Sequence, residues 1–136
     1  MPWQLNPEVE DWRGRSELRV VVVDGQVLAR THVVRGLEAA GYSIVGSVGT
    51  GEATPALIRA TLPDIAVLEE LLPDGSGISV CSDLRRGFPS LHTVIHALTL
   101  THAERGRAYE AGASAVVMKE VRLAPLLAAL SGLRRR

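Results

Sequence analysis

Three charged residues each close an apolar run: Asp24 follows RVVVV, Glu69 follows DIAVL and Lys119 follows SAVVM. An apolar strand that ends in a carboxylate is a common way to present an acid at the edge of an α/β sheet, where active positions lie at the carboxyl ends of the strands. The same rule adds Ala97 to Thr99, which close the run TVIHAL. Two acids and an amine in one crevice can neutralise one another, and a buried pair is tolerated where an unpaired buried charge is costly. A Glu69–Lys119 pair with Asp24 nearby is therefore expected. Asp24 has a second reading, as a cap of the following helix or an acceptor of backbone N–H groups. Behind Glu69, Glu70 reads as solvated, and LPDGSG reads as a tight loop through Pro73, Gly75 and Gly77 whatever the crevice binds.

These residues can meet only if the chain between them alternates strands with helices. Short β-branched runs at 19–23, 43–48, 64–68, 93–98 and 114–118 alternate with segments of helical length. Leu123, Leu126, Leu127, Leu130 and Leu133 form a one-faced stripe, with Pro125 in the first turn of that helix. Ile78, Cys81 and Leu84 recur every third residue, which makes Cys81 a core thiol. Gly41 and Gly87 sit where helices should stop. Right-handed crossovers then require a parallel sheet covered on both faces. The strand ends share one crevice if the strand order is 2-1-3-4-5. The expected fold is a doubly wound α/β sandwich of five parallel strands and five helices over 18–133. Residues 1–17, with Trp3 and Trp12, read as an arm that is flexible or docks through a tryptophan. Residues 134–136 are a basic end able to touch phosphate or begin a linker.

Bulk properties exclude several classes. The 136 residues suit one domain, and 15 basic against 15 acidic side chains leave no net field to hold nucleic acid or an anionic membrane. Recognition must be local. A single cysteine forms no internal disulfide, no apolar run has membrane length, and the start MPWQLNPEVEDWRGRSE lacks the pattern of a secretion signal, so a cytoplasmic protein is expected. His92, His96 and His102 lack a Cys or acidic partner among them, which speaks against a metal site there, and His32 falls on the first helix away from the chemistry. VGTGEAT at 48–54 lacks the ending of a phosphate-binding loop, and no nucleophile elbow supports a Ser-His-Asp arrangement. No enzyme is expected.

The runs LRVVVVDG (18–25), PDIAVLEELLPDGSG (63–77) and EAGASAVVMKE (110–120) resemble the response-regulator receiver domain of two-component signalling. The resemblance covers about residues 18–133 and is nearest the subfamily whose receiver precedes a helix-turn-helix DNA-binding domain. It implies the flavodoxin-like order already inferred. In that family two adjacent acids after the first strand hold Mg²⁺, and an aspartate after the third receives a phosphoryl group. The fourth strand supplies a Ser or Thr hydroxyl, and the fifth an aromatic switch residue and then a lysine. Carried over position by position, Asp24 and Lys119 match. Gly25 stands where the direct metal ligand belongs, Glu69 at the phosphoacceptor, Ala97 at the hydroxyl and Val116 at the aromatic position. Thr99 would rescue the hydroxyl if the loop were two residues shorter.

These departures imply an atypical, pseudo-receiver pocket. Metal affinity follows the number and geometry of carboxylate ligands, so Gly25 should leave Mg²⁺ binding weak or absent. Glutamate displaces the attacking oxygen, and a misplacement of about 1 Å costs roughly 10²-fold in rate. Glu69 is a poor imitation of a phosphorylated aspartate, because it lacks the three-oxygen fan and Ala97 and Val116 interrupt the relay. The resemblance thus points to a phosphorylation-independent module that acts through a protein partner or a homodimer in a two-component or transcriptional regulator. Its expected surface is the fourth and fifth helices with the fifth strand, or the first and fifth helices. The resemblance allows a C-terminal DNA-binding domain in a longer chain, with no nucleic-acid or membrane contact expected of this segment. The rival readings are a phosphoacceptor that uses Glu69 and a sensor whose small-molecule ligand fills the altered pocket.

Overall fold

The computed structural model describes residues 18–134; the expected arm at 1–17 and the last two arginines of the basic end lie outside the described residues. Five strands form one parallel sheet: β1 (Arg19–Val23), β2 (Ser43–Val48), β3 (Ile65–Glu69), β6 (His92–Ala97) and β7 (Ala115–Met118). Their order is β2-β1-β3-β6-β7, the predicted 2-1-3-4-5. A two-residue hairpin, β4 (Leu71–Leu72) with β5 (Gly75–Ser76), folds the loop behind β3 and was not foreseen as paired strands. Among the described residues there are five helices: α1 (Val27–Ala39), α2 (Thr54–Thr61), α3 (Gly77–Gly87), α4 (His102–Glu110) and α5 (Ala124–Arg134).

The run VVVV in β1 is buried on both faces, as a central parallel strand requires. Alternation sends Val20 and Val22 to one side and Val21 and Val23 to the other. On the first side they pack with Val33 and Leu37 of α1 and with Leu126, Leu130 and Leu133 of α5, so the leucine stripe is the inner face of α5. On the second side they meet Ile58 of α2, Cys81 and Leu84 of α3 and Ala108 of α4. Cys81 is fully buried, its thiol beside the Thr93 hydroxyl at 3.1 Å, and burial pushes it above its ordinary pKa. It is a core residue, as its spacing indicated.

Helix ends follow local chemistry. Gly41 adopts φ +95° just after α1, and Gly112 does the same after α4 at φ +107°. Gly87 is the last residue of α3 and has no positive φ; the exceptional turn is Leu62, which ends α2 at φ +47° without being a glycine. Thr101 and Glu104 form a reciprocal capping box at the start of α4. This helix buries only Ala108, leaving most of its nine residues toward solvent. No helix among the described residues is long and apolar enough to cross a membrane.

Candidate functional site

The crevice at the carboxyl ends of β1, β3 and β7 brings together three of the expected residues. Asp24 directly follows β1, Glu69 is the last residue of β3 and Lys119 directly follows β7. The Lys119 Nζ donates to Asp24 Oδ2 at 2.9 Å and also to Glu69 Oε2. All three side chains are sequestered: relative exposure is 13% for Lys119, 3% for Asp24 and 10% for Glu69. Lys119 is itself held by its backbone, whose N–H donates to the Ala97 carbonyl at 2.6 Å. Asp24 accepts a backbone donor as well as facing the lysine: its Oδ1 accepts the Gln26 N–H at 2.9 Å while Oδ2 takes the ammonium, and α1 has no side-chain cap.

The two acids differ in protonation. Burial pushes the Asp24 carboxyl up, but the Gln26 N–H, the Glu69 carboxyl and the Lys119 ammonium outweigh it and leave Asp24 below its ordinary value. Burial pushes Glu69 up as well; the Lys119 hydrogen bond pulls back, the neighbouring Asp24 pushes up again, and the net shift is upward. Burial depresses Lys119, yet the two carboxylates more than compensate and raise it. One amine is thus shared by two acids, of which Asp24 holds the negative charge more firmly.

The resemblance implies Mg²⁺ in this crevice, and the donors present decide whether it fits. Gly25 contributes no ligand, and a Cβ at that position would lie 2.6 Å from Pro73 Cδ, so the proline ring has closed over the place of a second acid. The ammonium of Lys119 sits between the two carboxylates that remain. Among the described residues no group of three or more His, Cys, Asp or Glu side chains is arranged to hold a metal ion. This donor set does not fit Mg²⁺. Ala97 is the last residue of β6 and its methyl is buried. Thr99 lies two residues beyond the strand and is exposed. Val116 packs half-buried on the core beneath α2, α3 and α4.

The loop behind Glu69 corrects one expectation. Glu70 is not a solvated residue: its Oε1 accepts the Ile78 N–H at 2.9 Å and the Ser76 hydroxyl at 3.0 Å, while Ser76 Oγ caps α3 through Ile78 and Ser79. Asp74 ties the hairpin to the loop before α2 by accepting the N–H groups of Gly51 and Glu52, each at 2.9 Å. Gly77 must lack a side chain because its Cβ would collide with the Glu69 carbonyl oxygen. Glu70→Ala should therefore destabilise the domain by about 1–2 kcal/mol, the worth of a helix cap, in a urea titration.

The histidines divide. His92 Nδ1 bonds the Ser114 hydroxyl at 2.9 Å, and His32 on α1 reaches the Val121 carbonyl at 3.1 Å, just beyond Lys119. His96 is the neighbour of the charged site that sequence reasoning missed. It pairs with Glu69 in the β3–β6 ladder, is 4% exposed, and has its pKa lowered to about 4 by burial and by Lys119, against a smaller upward push from Asp24. The signal was its place one residue before Ala97 at a strand end.

The pattern of the response regulator receiver domain matches residues 20–131. The DNA-binding transcriptional activator DevR/DosR of Mycobacterium tuberculosis is 34% identical over 106 residues, 77% of this chain and 49% of that protein. The probable transcriptional regulatory protein NarL of the same species is 34% identical over 120 residues, 85% of this chain and 51% of its own. The chain thus spans about half the length of these curated relatives. Among solved structures, the signal receiver domain of that NarL superposes with a TM-score of 0.82 at 28% identity, covering 88% of this chain and 98% of its own. A LuxR-family two-component response regulator from Aurantimonas gives 0.82 at 29% identity, covering 87% and 85%. Receiver domains of response regulators are signalling domains. The order of the sheet, the acids and lysine at its strand ends and the match over 20–131 agree: the chain belongs to the response regulator receiver domain family.

Proposed function

We propose that this receiver domain signals without phosphorylation, as an interaction or dimerisation module of a cytoplasmic transcriptional regulator. The observation that carries the reading is the Lys119 ammonium bound to both Asp24 and Glu69. Phosphoryl transfer depends on neutralising charge on the transferring oxygens. Here the two acids and one amine sum to one negative charge, and a divalent ion would leave one positive charge with no second acid at Gly25 to hold it. A phosphodonor approaching Glu69 would have to displace an amine already engaged, without a hydroxyl from Ala97 to receive an oxygen. The partner surface best supported is the face of α4, β7 and α5, because α4 buries a single residue and presents Tyr109 at 49% exposure. DevR/DosR, of which this chain matches 49%, is a DNA-binding transcriptional activator, and a DNA-binding output in a longer chain is part of the proposal.

The test is incubation with a small phosphodonor and Mg²⁺ followed by intact-mass measurement. The expected mass is unchanged, and calorimetry should find no Mg²⁺ binding tighter than about 1 mM. A stable gain of one phosphoryl group localised to Glu69 establishes the phosphoacceptor reading instead. A small molecule retained through purification and released on unfolding favours the sensor.

A further inference from the structure

At the opposite end of the sheet from the acids, the amino ends of the strands border a groove of about 630 Å³. Leu18, Leu62, Phe88, Leu91 and Leu133 supply apolar walls, and Arg134 stands at its edge. This volume falls inside the range of pockets that enclose drug-sized ligands, about 300–1,000 Å³. Leu62 is 66% exposed at the groove although it is a large apolar side chain on a helix end. The groove is independent of the chemistry at Glu69.

We infer that the occupant is the chain's own amino-terminal segment, with the Trp12 indole seated in this groove. Leu18, where the described structure begins, is itself a wall of the groove, so the segment before it enters the domain there. Trp12 precedes Leu18 by six residues, which span at most ~20 Å when fully extended. The tether holds the indole at an effective concentration on the order of millimolar, so a contact of only millimolar affinity as a separate peptide is substantially populated. The chemistry matches: an indole is a large, stiff apolar group with one N–H donor, suited to a groove of leucines and one phenylalanine ring. Glu8, Glu10 and Asp11 lie just ahead of Trp12, and the groove's edge carries Arg134, followed in the sequence by Arg135 and Arg136. Docking ties the start of the chain to the last turn of α5, and a competitor for the groove releases residues 1–17.

Both tryptophans of the chain lie in this segment, so indole emission reports on it alone. The experiment uses the full chain carrying Trp3→Phe, with Trp12 as the sole emitter. The expected result is blue-shifted emission, quenched by acrylamide several-fold less than N-acetyltryptophanamide, at every protein concentration. Leu62→Glu should return emission and quenching to the free-indole values while far-ultraviolet circular dichroism stays unchanged. Emission like free indole in the parent, or emission indifferent to Leu62→Glu in a folded chain, overturns the proposal. A blue shift lost on dilution overturns it in favour of docking on a second copy. If Leu62→Glu disturbs the fold, a nuclear Overhauser contact between the Trp12 indole and the Phe88 ring decides, its presence supporting the proposal and its absence refuting it.

Discussion

Lys119→Met should destabilise the domain by about 3 kcal/mol at neutral pH, the scale on which removing one partner of a buried ion pair acts. The substitution keeps the stem and removes only the charge, so packing against the strand ends is preserved. Asp24 and Glu69 then face each other with no cation, each at most a tenth exposed on its side chain. Glu69 already has its carboxyl shifted upward by burial, with Lys119 restraining the shift. Without that restraint it takes up a proton more readily, and the loss shrinks as pH falls and Glu69 becomes neutral. The raised folded-state value sets the sign: the Glu69 contribution is present below its unfolded value of about 4.3 and is lost as pH rises through the folded one. Adding Glu69→Gln to Lys119→Met should therefore recover most of the loss at neutral pH, because only Asp24 remains charged. Urea denaturation of the two single variants and the double variant measures the coupling. A cost below about 1 kcal/mol for Lys119→Met would be that of a surface pair and would contradict the buried triad.

That triad also explains why part of the site was legible in the sequence and part was not. Asp24, Glu69 and Lys119 each end an apolar run, and strand ends in a parallel sheet share one edge; the meeting of these residues follows from topology alone. The leucine stripe of α5 and the buried Cys81 follow from helical period in the same way. Glu70 was misread because adjacent acids look alike in a sequence. One residue past the strand end, the chain turns into the hairpin and aims the Glu70 carboxylate at the Ile78 N–H in the first turn of α3, a target more than six residues downstream. Pro73 over Gly25 is a contact between loops 48 residues apart, which no local pattern encodes. Leu62 in a left-handed turn runs against residue preference, and its exposed side chain at the groove is what such a conformation presents.

His96 carries the second large effect. Its period-two placement marked a strand face, but whether that face met solvent, a metal or a charged crevice depended on three other strands. In the fold it stands beside Glu69 in the ladder, with Asp24 and Lys119 close enough to act on its charge. Its folded-state pKa of about 4 lies below the unfolded value of about 6.5. Between those values the unfolded chain binds more protons, so stability is present above about pH 6.5 and lost as pH falls toward about 4. At 1.36 kcal/mol per unit the full excursion amounts to roughly 3 kcal/mol, a large share of the 5–15 kcal/mol typical of a domain. Glu69 works against this loss, since its raised value favours the folded state at acid pH, whereas the lowered Asp24 adds to the loss only below about pH 4. His96→Leu removes the titrating ring while keeping an apolar group of similar size in the buried position. The variant should match or exceed the parent at neutral pH and exceed it by about 2–3 kcal/mol near pH 4.5 in urea denaturation. Parallel pH profiles for parent and variant across this window would show that His96 accepts its proton in the folded state as readily as in the unfolded chain, and the crevice would then be wetter than its burial indicates.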